Sequence, residues 1–429
     1  MANSMEILSQ THQPLLPHTV STPQHPVVMA TSSLTSKDKL LESCEKALKD
    51  QPPLLKRSFV SIAGGEGENR MANSMEILSQ THQPLLPHTV STPQHPIVMA
   101  TSSLTSKDKL LESCEKALKD QPPLLKRSFV SIAGVEGEVR EGNVFRVMQW
   151  NILAQALSQA DDSFVRCPPA ALNWDVRKFR ILEEIRTYDS DVLCFQEVDH
   201  YHDFLEPALK SLGYRGLFYP KPDSPALYCP NNNGPDGCAL FFKKDKFSLV
   251  DADGIVLSSR GFETNQVALF AKLQFSDPST GGAKPFVLGV THLKARKGWE
   301  RLRSEQGKDL LKQTQKFSGK GTPVVLCGDF NAEPTEHVYS VMSQSKMKLN
   351  SAYKSLSDDK TSEPVYTTWT VRTDGEWRQT LDYIFFSKDK FQVETCLEIP
   401  PEELVGETRL PSHTYPSDHL SLVCDFKQI

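Results

Sequence analysis

Polar residues of catalytic type stand where short apolar segments of this chain end or begin. Six such boundaries carry Asn151, Glu197, His292, Asp329 with Asn331, Asp382, and Asp418 with His419. A single carboxylate beside a strand is usually a turn residue or a solvated strand end. Six boundaries that combine carboxylates, amides and imidazoles make coincidence a weak explanation, and they indicate that these side chains share one site.

These residue types suit the hydrolysis of a phosphate ester. A hard divalent cation prefers carboxylate oxygen, and Mg²⁺ keeps several of its waters, so that one or two acidic ligands suffice. A second carboxylate can orient or deprotonate the attacking water. A His–Asp pair and an Asn amide can stabilise the charge that develops on phosphoryl oxygen. Zinc is disfavoured, because no set of His and Cys residues has ligand spacing.

Short apolar segments rich in β-branched and aromatic residues predict the strands that position these side chains. The predicted strands are 144–150, 191–195, 238–242, 267–273, 286–290, 323–327, 381–386 and 420–426. Amphipathic helices are predicted at 174–188, capped by Asn173, and at 298–317 and 335–347. Strands joined both directly and through helices predict an α/β fold, a two-sheet sandwich with outer helices.

Composition and charge limit the classes of protein that this chain can represent. The chain has 429 residues, 38% of them hydrophobic, and a formal net charge of −5. This balance is typical of a globular protein, and no apolar segment approaches the roughly 18–20 residues of a membrane span. A polyanionic substrate must therefore be held by a local cluster of cations or by a metal. The nine scattered cysteines form no C-x-x-C pair, and reduced thiols are expected.

The N-terminal third of the chain is a repeat. Residues 1–70 recur as 71–140 with three differences, at positions 27/97, 65/135 and 69/139. Two near-identical copies do not make a solenoid, and a recent duplication or an error in the gene model explains them better. We expect a chain that begins at Met71 to behave like the full one.

Each copy combines a segment of low apolar content with a short amphipathic one. Residues 7–36 and 77–106 carry no charged side chain, and their composition predicts disorder. The segment 106–119, like its counterpart in the first copy, has apolar residues at helical spacing. We expect this second helix to dock on the catalytic domain 141–429, which carries the whole net charge with 34 basic and 39 acidic residues.

Seven short motifs follow one another in an order that identifies a family. They are W-N-I-L (150–153), Q-E-V (196–198), N-G-P-D-G-C-A (233–239), T-H-L-K-A (291–295), G-D-F-N (328–331), L-D-Y-I (381–384) and S-D-H-L (417–420). Together they resemble the exonuclease–endonuclease–phosphatase superfamily. Longer stretches such as G-D-F-N-A-E-P-T-E resemble its branch related to the carbon-catabolite-repressor deadenylases. The resemblance covers about 106–429 and implies the fold expected from the strands.

The resemblance implies a role for each motif residue. Glu197 would be the Mg²⁺ ligand, with Asn151 close to it and Asp418 supporting the metal side. Asp329 would position or activate the nucleophilic water, and Asn331 would hold the scissile phosphate.

The same resemblance implies how the two histidines act. His419, oriented by Asp382, would stabilise the transition state, and His292 would bind phosphate from the other side. The predicted substrate-binding set comprises Glu197, Lys221, Asn265, His292, Lys294, Arg296, Asp329, Asn331, Arg372 and His419.

The fold alone does not determine the substrate. The resemblance implies a link to circadian and metabolic regulation, and either of two activities. We favour a Mg²⁺-dependent phosphatase that removes the 2′-phosphate of NADP⁺ and NADPH, because a few cations beside a metal suit a compact dinucleotide. The alternative is a poly(A)-specific 3′-exoribonuclease, for which a long RNA would need a basic groove with exposed aromatic residues. A non-catalytic binding protein for mRNA factors would tolerate loss of an acidic motif residue, and none is lost.

The sequence gives weaker signals for the cellular location and the oligomeric state of the protein. Relatives can carry a mitochondrial targeting segment, but this N-terminal region has no Arg-rich equivalent and no secretory signal. We therefore expect a cytoplasmic protein, with the mitochondrion as the alternative that the resemblance implies. We also expect a monomer without a membrane span.

Overall fold

A computed structural model describes residues 106–132, 142–158, 164–277 and 283–429. The predictions of disorder for 7–36 and nearly all of 77–106 lie outside the described residues, as does the helix predicted in the first copy. The described cysteines are free thiols, and all of them except Cys229 are buried. No helix in these ranges is long and apolar enough to cross a membrane.

The described residues form fifteen strands and six α-helices. The strands are β1 (Phe129–Ser131), β2 (Val144–Asn151), β3 (Val192–Val198), β4 (Tyr214–Pro220), β5 (Gly237–Lys243), β6 (Phe247–Ser259), β7 (Phe262–Phe275), β8 (Phe286–His292), β9 (Val324–Asp329), β10 (Leu349–Ser351), β11 (Thr368–Arg372), β12 (Gly375–Gln379), β13 (Asp382–Ser387), β14 (Phe391–Leu397) and β15 (Leu422–Gln428). The helices are α1 (Lys107–Leu118), α2 (Trp174–Tyr188), α3 (Glu206–Ser211), α4 (Glu300–Ser318), α5 (His337–Ser343) and α6 (Glu402–Val405).

Two mixed sheets carry most of these strands. The seven-stranded sheet has the order β1-β14-β15-β2-β3-β5-β4, and the six-stranded sheet has the order β10-β13-β9-β8-β7-β6. Each sheet contains one parallel pair, β2 with β3 and β8 with β9, and its other pairs are antiparallel. The strands of each parallel pair are connected through a helix, α2 or α4. The predicted α/β sandwich is confirmed.

The main core lies between the two sheets. Phe145 and Val147 of β2 pack in one apolar cluster with Leu288 and Val290 of β8, together with residues of β3, β5, β7, β9 and β15. Because successive side chains of a strand point to opposite faces, Met148 and Trp150 of β2 belong to a second cluster on the outer face. Burial on both faces explains why the central strands have nearly continuous apolar sequences.

Helices cover both outer faces. Leu182 and Ile185 of α2 pack on the seven-stranded sheet, and Leu310 of α4 packs with Val338 of α5 on the six-stranded sheet. The Asn173 side chain accepts a hydrogen bond from the Asp175 N–H, which confirms the predicted cap of α2.

The elements predicted within the described residues all occur, and one of them is shorter than expected. Each of the eight predicted strands has a counterpart, and the helix predicted at 298–317 is α4. The prediction of 335–347 as a helix was too long, because α5 ends at Ser343. The following residues form a turn, with a Ser345 N–H to Met342 C=O bond and a positive φ of 53° at Lys348, before β10 begins.

The segment before the catalytic domain is anchored by a buried ion pair. Leu110 and Cys114 of α1 are buried against the helices of the seven-stranded sheet. Further along, the Arg127 guanidinium lies 2.8 Å from Glu184 of α2, and both side chains are fully buried. Arg127 also donates to the carbonyl oxygen of Ser421 at 2.9 Å, two residues beyond His419. This residue therefore connects the N-terminal segment to the strand that leads out of the site.

Replacing Arg127 with alanine should lower the free energy of unfolding by about 3–5 kcal/mol, because it leaves the Glu184 carboxylate buried without its partner. The measurement is denaturant unfolding of residues 71–429, since residues 36–62 repeat 106–132 without change and would supply a second arginine, Arg57. The exposed neighbour Lys126 gives the control Lys126→Ala. Equal stability of the two variants would show that the ion pair contributes nothing.

Candidate active site

The topology brings the predicted residues to one edge of the sandwich. Asn151 is the last residue of β2, and Glu197 is the penultimate residue of the parallel β3. In the other sheet His292 and Asp329 end the parallel strands β8 and β9 and face each other in register. Because the carboxyl ends of parallel strands meet at one edge, each sheet contributes two polar side chains to the same place.

Two antiparallel strands begin at this edge and complete the set. Asp382, the first residue of β13, is paired in register with Asp329. Asp418 and His419 precede β15, whose Leu422 is paired with Gln149 near the end of β2. The structure therefore brings together all of the predicted catalytic residues and all of the predicted metal ligands.

Asn151 connects two of the carboxylates. Its amide nitrogen donates to Glu197 Oε1 at 3.0 Å and to Asp329 Oδ2 at 3.1 Å, and its amide oxygen accepts from the Leu153 N–H. The second oxygen of Glu197 accepts from the Ala154 N–H at 3.2 Å. Burial and the neighbouring Asp418 raise the pKa of Glu197, although Lys221 acts in the opposite direction.

Asp329 lies at the centre of the site, and only 1% of it is exposed. Its Oδ2 atom is 3.5 Å from His292 Nε2 and 3.8 Å from His419 Nε2, and its Oδ1 atom accepts from the Asn331 N–H at 2.8 Å. Burial raises the pKa of Asp329 to about 7, with Asp382 adding to the shift and His419 opposing it. A carboxylate with such a pKa is suited to accept a proton near neutral pH.

His419 is oriented by Asp382. Its Nδ1 atom lies 2.8 Å from Asp382 Oδ2, and the Thr367 hydroxyl donates to the same oxygen at 2.7 Å. Burial alone would lower the pKa of His419, but Asp382, Asp329 and Asp418 together raise it well above the usual value. The imidazole is therefore held in its charged form, with Nε2 directed at the centre of the site.

His292 has the opposite electrostatic environment. Burial and the Lys221 cation hold its pKa well below the usual range. Lys221 Nζ lies 3.3 Å from His292 Nδ1, and an ammonium group can only donate. The Nδ1 atom must then accept, which leaves the proton of the neutral ring on Nε2, facing Asp329.

Lys221 is itself fixed by a carboxylate that the sequence analysis did not single out. Its Nζ atom lies 2.6 Å from Asp236 Oδ2, and the Ser224 hydroxyl donates to the other oxygen of Asp236. Although burial alone would lower it, Asp236 and Glu197 raise the pKa of Lys221, so that its ammonium remains charged. Asp236 lies within N-G-P-D-G-C-A, so the motif contained the signal that could have identified it.

The residues on the Glu197 side fit a divalent cation. Asp418 Oδ1 is buried without a hydrogen-bond partner among the described residues, and its Oδ2 accepts from Arg372 at 3.0 Å. Since Asp418 also raises the pKa of Glu197, the two carboxylates repel each other. A hard cation would relieve this repulsion and satisfy the unpartnered oxygen. Glu197, Asn151 and Asp418 therefore remain the predicted ligands.

A second group of ligand-type atoms is a poorer candidate for a metal. Asp329, Asp382 and His419 place such atoms within 4.8 Å of one another. The atoms that join this group already have hydrogen-bond partners, however, because His419 Nδ1 lies 2.8 Å from Asp382 Oδ2 and the Thr367 hydroxyl donates to the same oxygen at 2.7 Å. Hydrogen bonding and proton transfer account for this group better than coordination does.

The predicted substrate-binding residues lie in different surroundings. Lys294 and Arg296 follow His292 in the loop that leads to α4, Lys294 half-buried and Arg296 exposed. Arg372 packs with its guanidinium carbon 3.7 Å from the centroid of the Phe164 ring and reaches Asp418. Both polar atoms of the Asn265 amide bond to the backbone of Asp223, so Asn265 joins the 223–233 loop to β7. Lys221 differs from these four residues, because its ammonium contacts the catalytic His292.

Backbone conformations at the site are unusual. Leu153, Glu197, Arg296 and Asn331 have φ values of 61°, 56°, 79° and 49°. Residues other than glycine seldom adopt this left-handed region, and such strain is often found at functional sites. Two of these residues lie at strand ends, because Glu197 is the penultimate residue of β3 and Asn331 lies two residues beyond the end of β9.

Comparisons with known proteins agree with this geometry. The model of the Endonuclease/Exonuclease/phosphatase family matches residues 148–419. Nocturnin of Xenopus laevis is 53% identical over 319 residues, which cover 74% of this chain and 81% of that protein.

Two solved structures share the fold over most of the described residues. The human Nocturnin catalytic domain with bound sulfate anion has a TM-score of 0.60 and 48% identity, and the match covers 72% of this chain and 100% of that chain. ANGEL2, a 2′,3′-cyclic phosphatase in complex with adenosine-2′,3′-vanadate, has a TM-score of 0.59 and 26% identity, with 71% and 99% covered. The resemblance of the seven motifs is confirmed, and the chain belongs to the endonuclease/exonuclease/phosphatase family of hydrolases.

Proposed function

We propose that this chain is a Mg²⁺-dependent phosphatase that removes the 2′-phosphate of NADP⁺ and NADPH to give NAD⁺ and NADH. The observation that carries the proposal is the buried Lys221 ammonium, fixed by Asp236 and adjacent to His292. A terminal phosphate monoester carries about 1.5–2 negative charges at neutral pH, whereas a phosphodiester carries one. A fixed buried cation at the reaction centre favours the more highly charged group.

A relative supports the position of the phosphate on the sugar. ANGEL2 is described as a 2′,3′-cyclic phosphatase and was crystallised with adenosine-2′,3′-vanadate. That protein therefore binds adenosine with a phosphate-like group across its ribose 2′ and 3′ oxygens. The adenosine half of NADP(H) carries its phosphate at the first of these two positions.

The catalytic residues fit an attack by water on the phosphorus atom. In the proposed reaction Asp329 accepts the proton of the water, a P–O bond to that water forms, and the bond to the ribose 2′-oxygen breaks. The departing 2′-oxygen takes a proton from solvent water, and Asp329 releases its proton to solvent after the reaction, so the products are inorganic phosphate and the free hydroxyl. His292, neutral and with its proton on Nε2, donates toward the same region and holds the phosphate in place.

Hydrogen-bond donors on the side of the site opposite His292 stabilise the negative charge on the phosphoryl oxygens. The charged His419 directs Nε2 at the centre while Asp382 holds its Nδ1, which preorganises a donor for the transition state. One amide N–H of Asn331 donates to the Leu293 carbonyl at 3.1 Å, and the other is available for substrate. A Mg²⁺ ion held by Glu197, Asn151 and Asp418 would supply further positive charge for the phosphoryl oxygens.

The proposal is tested by phosphate release from NADP⁺ and NADPH with Mg²⁺, and by parallel assays of 2′-AMP, 3′-AMP and a poly(A) strand. We expect release from NADP⁺, NADPH and 2′-AMP, little release from 3′-AMP, and intact poly(A). The Asp329→Asn protein is the control for a contaminating phosphatase.

The alternative activity gives a different pattern in the same assays. A poly(A)-specific 3′-exoribonuclease would shorten the strand at physiological salt and leave NADP⁺ unchanged. That result would overturn the proposed substrate and leave the family and the site geometry intact.

A further inference from the structure

Trp299 presents a large apolar ring to solvent beside the candidate site. It is 47% exposed and immediately precedes α4. Helix N-caps favour Ser, Thr, Asp or Asn, whose side chains accept hydrogen bonds from the first N–H groups. Trp299 occupies the N-cap of α4 and makes no such bond. Neither burial nor capping therefore accounts for a tryptophan at this position.

The loop that carries Trp299 is held by a buried side chain. Arg303, 2% exposed, donates to the carbonyl oxygens of Lys294 at 3.0 Å and Arg296 at 2.8 Å. The same guanidinium is paired with Glu336 at 2.8 Å. A ring on such a braced backbone loses little freedom when a ligand packs against it.

Lys294 links Trp299 to the reaction centre. Its Nζ atom lies 5.5 Å from the centroid of the indole ring. Burial is the largest cause of the lowered pKa of His292, and the Lys294 cation adds to it. The intervening Leu293 donates its N–H to the Asp329 carbonyl at 2.9 Å. The Lys294 ammonium thus lies beside the Trp299 ring, on a residue two positions after His292.

We propose that Trp299 is a specificity-determining residue whose indole ring stacks on the nicotinamide ring of the substrate, while Lys294 binds the pyrophosphate. This inference rests on the proposed NADP 2′-phosphatase activity and deepens it. In NADP(H) the pyrophosphate separates the 2′-phosphorylated ribose from the nicotinamide. In this chain His292, Lys294 and Trp299 follow one another in the same order, and flat heteroaromatic rings stack well on an exposed tryptophan.

The first test compares two substrates in the full chain. Trp299→Ala should raise KM for NADP⁺ about tenfold, because stacking on one aromatic side chain is lost, while kcat stays within about twofold. Trp299→Phe should recover most of the affinity. The kinetic constants for 2′-AMP, which has no nicotinamide, should be unchanged in both variants. Trp377→Ala removes another exposed tryptophan, 39% exposed, and serves as the matched control.

The second test measures binding without turnover. In the Asp329→Asn protein, NADP⁺ should quench part of the tryptophan fluorescence. The double variant Asp329→Asn/Trp299→Phe should not show this quenching. An unchanged KM for NADP⁺ in Trp299→Ala would overturn the inference, as would an equal rise in KM for 2′-AMP. If the wild type releases no phosphate from NADP⁺, the proposed function fails. The quenching comparison still decides whether Trp299 contacts the nucleotide.

Discussion

Asp329→Asn should lower kcat for phosphate release by about 10³-fold, the range expected when a general base is removed. Asparagine keeps the shape of the side chain, and its amide oxygen can still accept the Asn331 N–H bond. It can no longer accept a proton from water. The substitution also removes the negative charge that lies 3.5 Å from His292 Nε2 and 3.8 Å from His419 Nε2. Because kcat should fall more than KM changes, the loss reports the chemical step.

The control for this substitution is Asp245→Asn. Asp245 is exposed in the turn between β5 and β6, and β5 runs antiparallel to β3, so this turn lies at the opposite end of the sheet. Its kcat should match that of the wild type, and thermal unfolding should show both proteins folded. A folded Asp329→Asn protein with nearly normal kcat would rule out Asp329 as the base.

The convergence of the site could be predicted because it depends on strand direction alone. Apolar segments that end in Asn151, Glu197, His292 and Asp329 gave the strands, and parallel strands present their carboxyl ends at one edge. A helix connects β2 to β3 and β8 to β9, which is the kind of connection that parallel strands need. The position of each polar residue at the end of an apolar segment was therefore enough to predict that these residues meet in one site.

Most of the strands that were not predicted lie at sheet edges or outside the two sheets. β1, β4, β6 and β10 are the edge strands, and β11 pairs with β12 in a separate hairpin. An edge strand needs only one buried face and often carries polar residues that discourage further pairing. In β6 the residues Asp251 and Asp253 are exposed, and they interrupt the apolar pattern from which a strand is predicted. The second strand from the edge, β14, was missed as well.

The fine geometry of the site depends on contacts that have no local signature. Asp236 and Lys221 are fifteen residues apart, and only the pairing of β4 with β5 brings their segments together. The left-handed conformation of Glu197 likewise results from packing at the end of β3, since glutamate has no preference for it. Predicting the residue types of the site was thus easier than predicting what holds each of them.

The two histidines show why the same residue type can serve two roles. His419 contacts a carboxylate through Nδ1, whereas His292 contacts an ammonium through the same atom. The first environment keeps the ring charged and the second keeps it neutral. Both rings direct Nε2 at Asp329, so one centre receives a charged donor and a neutral donor from opposite sheets.

Glu197→Gln should lower kcat/KM by about 10³-fold and remove the response to Mg²⁺, because the charge that would hold the cation is lost. Glu197 accepts from Asn151 and from the Ala154 N–H through separate oxygens, and glutamine has one acceptor oxygen, so it can keep one of these two hydrogen bonds. Removing the buried charge offsets the bond that is lost, and the local fold should survive. Without metal the variant should be at least as stable as the wild type, since it no longer buries a carboxylate beside Asp418. Function and stability are therefore expected to change in opposite directions.

Thermal unfolding with EDTA and with Mg²⁺ separates this effect from simple damage. The Tm of the wild type should rise when Mg²⁺ is added, because a ligand that binds only the folded state stabilises it, and the Tm of Glu197→Gln should not. Glu403→Gln, at an exposed position of α6, should respond like the wild type. If Glu197→Gln kept the full Mg²⁺-dependent rise in Tm, the cation would have to bind elsewhere, and the ligand set of Glu197, Asn151 and Asp418 would be wrong.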